Sequence, residues 1–273
     1  MSFTLYNVPI DHVSDDQLHA LLSLWMKDHA QKVIVTPNPE ILLHARRDPS
    51  FLSSLQRSHL ALPDGVGLRF AAAALTDRKL RFRHTGVDTL YKLAAICENT
   101  GKRLVLFGGF GDVPERSARA LRKMYPELDV IGLNPGTVLD EGGHVDEDVV
   151  AELRTLRPHV LAVAIGAGKS VFGRQEAIMH HLLPLIPSIK VAIGVGGALD
   201  MIAGDIRRAP RFMRRIGLEW LWRMAKQPTR SRRIIAATVV FASVVAYDSL
   251  RGGRFFRALP RVAREVALQM VGR

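Results

Sequence analysis

The sequence predicts an α/β fold: a Rossmann-like, mostly parallel sheet with helices on both faces, followed by a basic helical C-terminal appendage. Short apolar runs rich in β-branched residues alternate strictly with segments of helical pattern, which is typical of parallel strands joined by helices. A sharp rise in arginine content near Arg207 marks the appendage. We therefore expect two units, residues 1–206 and residues 207–273.

Six apolar runs are the candidate strands: residues 32–35, 59–62, 103–107, 129–131, 159–165 and 190–195. Helix signals stand between them. Thr85, followed three residues later by Asp88, is a shortened capping-box pattern that opens a helix from Gly86 to Asn99. Pro114 suits the first turn of another helix, which runs to Met124.

Length and composition predict a folded cytoplasmic protein. With 273 residues, 48% of them apolar, the chain can bury a substantial core, which excludes disorder as the default. Its first 17 residues lack the basic region and the apolar stretch of a signal peptide. The single cysteine, Cys97, cannot form an internal disulfide.

The net charge of +12 is concentrated in the appendage. Residues 207–273 contain 16 basic side chains, 15 of them arginine, against three acidic ones, whereas the first 206 residues have a net charge of −1. Guanidinium groups are planar forks that suit phosphate, so we expect the appendage to meet phosphate groups. Nucleic acid and anionic lipid both present them, and composition leaves that choice open.

An apolar run of 13 residues, 234–246, lies inside the appendage. A helix of that length spans roughly 20 Å, short of the ~30 Å hydrocarbon core of a bilayer. We therefore expect an interfacial helix, or one buried in a homo-oligomer, rather than a transmembrane span.

A basic amphipathic element follows this run. Its apolar stripe consists of Phe255, Leu259, Val262, Val266 and Met270, and its basic stripe consists of Arg254, Arg257, Arg261 and Arg264. Such a helix either lies in the surface of an anionic bilayer or packs on the domain or on another protomer. Pro260 is expected to restrict the regular helix to the residues after it.

Ligands of parallel sheets bind beyond the carboxyl ends of the strands, so the loops after the strands are the candidate site. Five of them carry unusual residues: 36–40, 63–67, 108–111, 166–176 and 194–197. Asn38 before Pro39 is typical of a helix start, which is an alternative to a binding role. Asp64 is either a turn or cap residue or, in a cleft, a base that removes a proton from a hydroxyl.

Two glycine-rich segments suggest phosphate binding. Gly108 and Gly109 precede a helix whose N–H groups could hold a diphosphate, although such turns are common after strands. Residues 166–170 end in Gly-Lys-Ser, as a phosphate loop does, but Val163 replaces the first glycine of that motif. A nucleotidase that depends on Lys169 is therefore one alternative function.

No metal site or cofactor is predicted. Asp146, Glu147 and Asp148 resemble an acidic metal-binding triplet, but they open a helix, where acidic side chains favour the helix dipole. His180 and His181 have no partner at zinc spacing and are assigned to a helix surface.

Six segments in the same order resemble the WecG/TagA/CpsF family of glycosyltransferases, and the likeness runs over most of the chain. They are Thr-Pro-Asn-Pro-Glu (36–40), Leu-Pro-Asp-Gly-x-Gly (62–67), Arg83 with Thr85-Gly86 and Asp88, Gly-Val-Gly-Gly-x-x-Asp (194–200), Arg208-Ala209-Pro210 with Gly217-Leu218-Glu219-Trp220, and Arg223 with Pro228-x-Arg230-x-x-Arg233.

The resemblance implies an inverting, metal-independent transfer that needs no cofactor. The donor would be a UDP-sugar carrying N-acetylmannosamine, its uronic acid or glucose. The acceptor would be a polyprenyl-diphosphate-linked sugar of bacterial polysaccharide assembly. Residues 1–206 would bind the UDP-sugar, and the appendage would associate with the anionic inner face of the cell membrane and close the site.

The resemblance also implies roles for individual residues. The implied catalytic residues are Asp64, Thr36, Asn38 and Arg83, and the implied substrate contacts are Gly108, Gly109, Gln175, Glu176, Gly196, Gly197, Asp200, Arg208, Arg214, Arg223, Arg230 and Arg233. Asp64 would be the general base, Arg83 and Gln175 would contact the diphosphate or sugar, and Asp200 the nucleoside. The appendage arginines would stabilise the departing UDP.

Three departures from the family pattern leave the donor sugar open. The family usually has a compact Gly-x-Pro-x-Gln-Glu loop, whereas residues 166–176 are longer and lack the proline, which affects the position of Gln175. Thr137 stands where an aromatic residue is often found, and residues 234–273 extend beyond the usual end of the motif. The basic appendage keeps a nucleic-acid-binding protein as an alternative function.

Overall fold

The computed structural model describes residues 2–136, 145–165, 174–226 and 234–272, and the side chains of Arg174 and Arg223 lie outside that description. Within these ranges the predicted fold class is confirmed. A six-stranded parallel sheet carries helices on both faces, and further helices follow at the C-terminal end.

The strands are β1 (Ser2–Leu5), β2 (Val8–Asp11), β3 (Lys32–Val35), β4 (Leu60–Ala61), β5 (Leu104–Gly108), β6 (Val130–Leu133), β7 (Val160–Ala164) and β8 (Val191–Gly194). The main sheet has the order β4-β3-β8-β7-β5-β6, and its neighbouring strands are parallel. All six predicted strands are thus present, with ends that differ by one or two residues.

The antiparallel hairpin of β1 and β2 was not predicted. Its two turn residues, Tyr6 and Asn7, have φ angles of 53° and 63°. A two-residue turn of this kind is usually signalled by glycine, which is absent here, so the sequence offers no strong hairpin signal.

The helices of the first unit are α1 (Asp15–Trp25), α2 (Pro39–Ala45), α3 (Pro49–Gln56), α4 (Gly67–Leu75), α5 (Gly86–Thr100), α6 (Val113–Met124), α7 (Glu147–Leu156), α8 (Arg174–Leu185) and α9 (Ala198–Ile202). Those of the appendage are α10 (Arg211–Arg215), α11 (Glu219–Lys226), a π-helical segment (Ala236–Val240) that leads into α12 (Phe241–Arg251), and α13 (Phe255–Met270).

The predicted helix starts are confirmed where a side chain forms the cap. Thr85 caps α5 by accepting a hydrogen bond from the Asp88 N–H at 3.1 Å. Asn38 caps α2 by accepting one from the Ile41 N–H at 2.9 Å. Asp146 caps α7, so the acidic triplet is a helix start, as its sequence context indicates.

A hydrophobic core covers each face of the sheet, because alternate strand residues point to opposite sides. In β3, Val33 and Val35 belong to one core and Ile34 to the other. The first core packs α2, α3, α4, α7 and α8, and the second packs α1, α5, α6 and α9. The helix after β3 (α2) and the helix after β8 (α9) therefore pack on opposite faces of the sheet. Because these two strands are adjacent, a crevice opens between their carboxyl ends.

The appendage helices α12 and α13 pack on α4. From the apolar run 234–246, Phe241 and Val245 are buried in the same core as α4. The Ser249 hydroxyl donates to the Ala74 carbonyl at 3.2 Å. Among the residues that the structure describes, no helix combines the length and the apolar character needed to cross a bilayer.

Helix α13 corrects one expectation, because it continues through Pro260. Proline removes one backbone hydrogen bond, and here the helix is held by residues on one buried side. That buried side consists of Ala258, Glu265 and Gln269. The predicted apolar stripe is divided: Leu259 is 48% exposed and Met270 70% exposed, whereas Val262 packs against the core.

Candidate functional site

The predicted catalytic residues meet at the carboxyl ends of β3 and β4. Thr36 follows β3, is buried, and donates a hydrogen bond from its hydroxyl to the Gly194 carbonyl at 3.3 Å. The Asp64 N–H donates to the Pro37 carbonyl at 2.8 Å. This bond ties the loop after β4 to the loop that carries Thr36 and Asn38.

Asp64 lies in the loop between β4 and α4. Gly65 has a φ angle of 93°, which glycine adopts readily, and α4 begins two residues later with Val66 in the N-cap position. The cap alternative and the base role of Asp64 both stay predictions. Its side chain is partly exposed, and in a crevice a carboxylate could reach an incoming hydroxyl.

Arg83 lies beside Asp64 and reaches the appendage. The His84 N–H donates to the Pro63 carbonyl at 3.1 Å, which places Arg83 next to the Asp64 loop. The Arg83 guanidinium donates to the Arg214 carbonyl in α10 at 3.1 Å. The structure thus brings the candidate base, one candidate catalytic cation and the start of the arginine-rich appendage together.

Arg208 holds the segment before α10 onto the start of α5. Its guanidinium donates to the Asp88 carboxylate at 2.7 Å and to the Thr85 hydroxyl at 3.2 Å. Burial alone would raise the pKa of Asp88, but the hydrogen bonds from Arg208 and Thr85 hold it below its ordinary value. The charge of Arg208 is therefore largely engaged within the protein, and its predicted contact with substrate stays a prediction.

Gln175 lies against the last residue of β8. Its side-chain oxygen accepts a hydrogen bond from the Gly196 N–H at 3.2 Å. A Cβ atom at Gly194 would lie 2.8 Å from the Gln175 amide nitrogen, so the missing side chain of Gly194 makes the space that Gln175 occupies. Despite the longer preceding loop, Gln175 reaches the same crevice as Thr36.

Glu176 lies behind Gln175 rather than in the crevice, which corrects its prediction as a substrate contact. It is 2% exposed, and its carboxyl oxygen accepts a hydrogen bond from the Gln175 amide at 2.9 Å. Burial raises the pKa of the Glu176 carboxyl, and the hydrogen bond from Gln175 offsets only part of that rise. By accepting from the amide nitrogen, Glu176 leaves the amide oxygen of Gln175 facing Gly196.

The glycine turn after β8 lines the same crevice. Gly196 has a φ angle of 50°, and Gly197 is the N-cap of α9. Asp200 lies in the first turn of α9 and is half-buried. A Cβ at Gly86 would lie 3.3 Å from the Val195 Cα, so glycine allows the start of α5 to approach this turn.

The other glycine-rich loop lies apart from this group. Gly108 ends β5, which is three strand spacings, or about 14 Å, from β3. The Gly109 N–H donates to the Ala164 carbonyl at 2.9 Å, so this group is already bound within the sheet. The predicted contacts of Gly108 and Gly109 with substrate stay predictions.

Several predicted residues lie outside the described residues. They include Arg230 and Arg233, the side chain of Arg223, and residues 166–173 with Lys169. Their predicted contacts stay predictions.

Within the described ranges, no three His, Cys, Asp or Glu side chains group together as metal ligands would. His180 corrects the expectation of a helix-surface residue. It is half-buried and forms a hydrogen bond through Nε2 with the Ser54 carbonyl of α3 at 3.1 Å.

Sequence reasoning missed a polar cluster that joins α4 to the appendage. Arg69 in α4 donates to Glu265 of α13 at 2.6 Å. The available signal was an acid and an amide four residues apart, Glu265 and Gln269, in a helix that is otherwise apolar and basic.

A sequence model of the glycosyl transferase WecG/TagA/CpsF family matches residues 3–254. Three relatives bear the name N-acetylglucosaminyldiphosphoundecaprenol N-acetyl-beta-D-mannosaminyltransferase. The protein of Bacillus subtilis (strain 168) is 29% identical over 234 residues, which are 85% of this chain and 87% of the relative. The protein of Bacillus spizizenii is 28% identical over 215 residues, 79% of each chain. The protein of Staphylococcus aureus (strain MRSA252) is 29% identical over 190 residues, 70% of each chain.

The buried Glu176 predicts a pH-dependent stability. Its pKa in the folded protein lies above its ordinary value of 4.5, so the folded protein keeps a proton that the unfolded chain releases. Raising the pH above that value therefore favours the unfolded state, until the folded pKa is passed. Glu176→Gln has no proton to lose at this position. We expect the Tm of this variant, relative to the unaltered protein, to rise as the pH is raised above about 4.5.

The measurement is thermal unfolding in a series of buffers of equal ionic strength. Glu147→Gln, which changes an exposed carboxylate at the start of α7, is the matched control, and its Tm difference is expected to stay nearly constant with pH. A Tm difference for Glu176→Gln that does not change as the pH rises would contradict the raised pKa of the buried carboxyl.

Proposed function

The chain belongs to the WecG/TagA/CpsF family of glycosyltransferases, and from this premise we propose that it moves a sugar from a UDP-sugar to a polyprenyl-diphosphate-linked sugar. The names of the three relatives favour N-acetylmannosamine as the sugar and N-acetylglucosaminyl-diphosphoundecaprenol as the acceptor. The uronic acid of N-acetylmannosamine and glucose are the other candidate donor sugars. The product would enter bacterial polysaccharide assembly.

One observation carries the proposal: Asp64 lies between the Thr36 loop and Arg83, whose guanidinium reaches α10 of the arginine-rich appendage. Displacement at a sugar carbon needs a base for the acceptor hydroxyl and cations for a leaving diphosphate. A carboxylate beside guanidinium groups supplies both.

In the proposed reaction, Asp64 removes the proton from the acceptor hydroxyl as its oxygen bonds to the anomeric carbon of the donor. The bond between that carbon and the diphosphate oxygen breaks, and UDP leaves with the electron pair. Because the hydroxyl attacks from the side opposite to UDP, the configuration at the anomeric carbon inverts. Thr36 and Asn38 line the pocket in which this displacement takes place.

Charge on the departing UDP would be met by guanidinium groups without a metal ion. Arg83 adjoins the Asp64 loop and contacts the Arg214 carbonyl, and we propose that Arg83, Arg214, Arg223, Arg230 and Arg233 form the set. Fixed cations stabilise developing charge without reorganisation during the reaction. Gln175 and the glycine turn at Gly196 and Gly197 would contact the sugar or diphosphate.

We further propose that α13 seats the protein on an anionic membrane surface as a peripheral protein. Phe256 is 78% exposed and Met270 is 70% exposed on its outward side. Arg257 and Arg264 flank that side and are also exposed. An apolar face bordered by arginines suits the boundary between headgroups and acyl chains, whereas a nucleic-acid surface would not favour such apolar exposure.

Replacing the proposed base tests the reaction. Asp64→Asn keeps the size of the side chain but cannot accept the proton, so we expect turnover to fall by about 10²–10⁴-fold. UDP affinity is expected to change by less than about threefold, since the carboxylate acts on the acceptor. Turnover is measured as UDP release with a short-chain lipid-diphosphate sugar and a series of UDP-sugars, in the presence of EDTA.

Asp16→Asn, in the exposed first turn of α1, is the matched control and is expected to keep full activity. Full activity of Asp64→Asn would exclude the base role. A complete loss of the unaltered protein's activity in EDTA would exclude the metal-independent mechanism.

The membrane proposal is tested by sedimentation with vesicles. Phe256→Ser combined with Met270→Ser removes apolar area from the outward face, so we expect vesicle-bound protein to fall by about tenfold for vesicles rich in phosphatidylglycerol. Leu24→Ser, which changes a side chain 62% exposed on α1, is the control and is expected to sediment as the unaltered protein does. Equal sedimentation of the double variant, together with salt-dependent binding to duplex DNA, would support the nucleic-acid alternative instead.

A further inference from the structure

A buried polar cluster links the last helix of the chain to two parts of the candidate site. We call it the Arg69 cluster, and it consists of Arg69, Glu265, Gln269 and the Arg215 carbonyl. The Arg69 Nε donates to the Glu265 carboxylate at 2.6 Å, and its Nη1 donates to the Gln269 side-chain oxygen at 3.1 Å. The Gln269 amide then donates to the Arg215 carbonyl at 2.6 Å.

The cluster is largely removed from solvent. The Arg69 side chain is 12% exposed and that of Glu265 is 8% exposed. Charges in such a place are costly unless each is paired, so the removal of one partner leaves the other uncompensated. Hydrogen bonds are directional, so these bonds fix the rotation of α13 about its axis and its position along α4.

Each end of the cluster leads to the candidate site. Arg69 lies in the first turn of α4, five residues after Asp64. On the other side, the Arg215 carbonyl of α10 accepts from Gln269, while the adjacent Arg214 carbonyl accepts from Arg83. Helix α10 is therefore held by the Arg83 loop and by α13 at the same turn.

Close packing supports the same connection. Gly217, directly after α10, has a φ angle of 82°, and a Cβ there would lie 3.1 Å from Gln269 Cγ and 3.2 Å from Val66 Cγ2. The Arg215 guanidinium also donates to the Gly272 carbonyl at 3.1 Å. Helix α10, the Asp64 loop and the end of α13 thus form one packed unit.

We propose that Glu265 and Gln269 are positioning residues, which set α10 and its arginines against Asp64 through the Arg69 cluster. This inference rests on the proposed glycosyl transfer. The family match ends at residue 254, so Glu265 and Gln269 belong to a helix beyond the matched region. Base and leaving-group cations act on opposite sides of one carbon, and a small shift of one against the other slows the reaction without preventing binding.

The test measures kcat and KM with a short-chain, soluble lipid-diphosphate acceptor and no vesicles, so that membrane binding does not contribute. We expect Glu265→Gln and Gln269→Met each to lower kcat by about tenfold or more, with KM for the donor changed by less than about threefold. The double variant Arg69→Glu, Glu265→Arg restores the opposite charges and is expected to recover part of the kcat that either single charge reversal loses.

Lys92→Gln is the matched control. It breaks the exposed Lys92–Asp15 ion pair, which has a similar length of 2.7 Å, and is expected to keep the kcat of the unaltered protein. Circular dichroism and Tm establish the folded fraction of each variant. An unchanged kcat in both Glu265→Gln and Gln269→Met would overturn the proposal, and so would a loss of activity that only follows the loss of folded protein.

Hydrogen exchange of the amides in residues 211–217 separates this inference from the proposed function. Faster exchange there in Glu265→Gln, with unchanged exchange in α6, supports the positioning of α10 by the Arg69 cluster. This holds even if the unaltered protein turns over no UDP-sugar. Equal exchange in Glu265→Gln and in the unaltered protein overturns the positioning role, whatever the enzyme assay shows.

Discussion

The site depends on one constraint of parallel sheets, which is that all strands end at the same edge. Because β3 pairs with both β4 and β8, the loops that carry Thr36, Asp64 and Gly194 must lie side by side. The helices after β3 and β8 then pack on opposite faces, so the backbone separates at the point where these loops begin. The crevice follows from that separation, and the polar side chains are placed around it by the loops.

Behind the crevice, a chain of polar contacts replaces the apolar packing found elsewhere in the sheet. Gly194 has no side chain, Gln175 fills the space, and the buried Glu176 determines which end of the Gln175 amide faces Gly196. Burial disfavours the charged form of this carboxyl and raises its pKa. The polarity of the crevice wall is thus set by a residue that does not reach its surface.

The appendage combines two kinds of surface in one helix. In α13 the polar residues Glu265 and Gln269 face inward and bond to Arg69, whereas apolar residues such as Phe256 face outward beside arginines. An ordinary amphipathic helix on a soluble domain has the opposite arrangement. The proposed association with a bilayer would account for this inversion, since the same helix would lie against the membrane on its outer side and hold the candidate site on its inner side.

The sequence by itself determined the alternation of six strands with helices, the caps at Asn38 and Thr85, the boundary of charge near Arg207 and the family, because these depend on local pattern and on short motifs. It placed Asp64, Thr36 and Arg83 in loops, and strand order then brought them together.

Only the tertiary structure decided that Glu176 lies behind Gln175, that the Gly109 N–H is bound within the sheet, that α13 continues through Pro260, and that Arg69 meets Glu265. These contacts join residues on different elements or depend on burial, and in the case of Arg69 and Glu265 the partners are 196 residues apart. The periodicity of a sequence does not indicate which distant side chain will fill a given space. Such contacts are determined by tertiary packing.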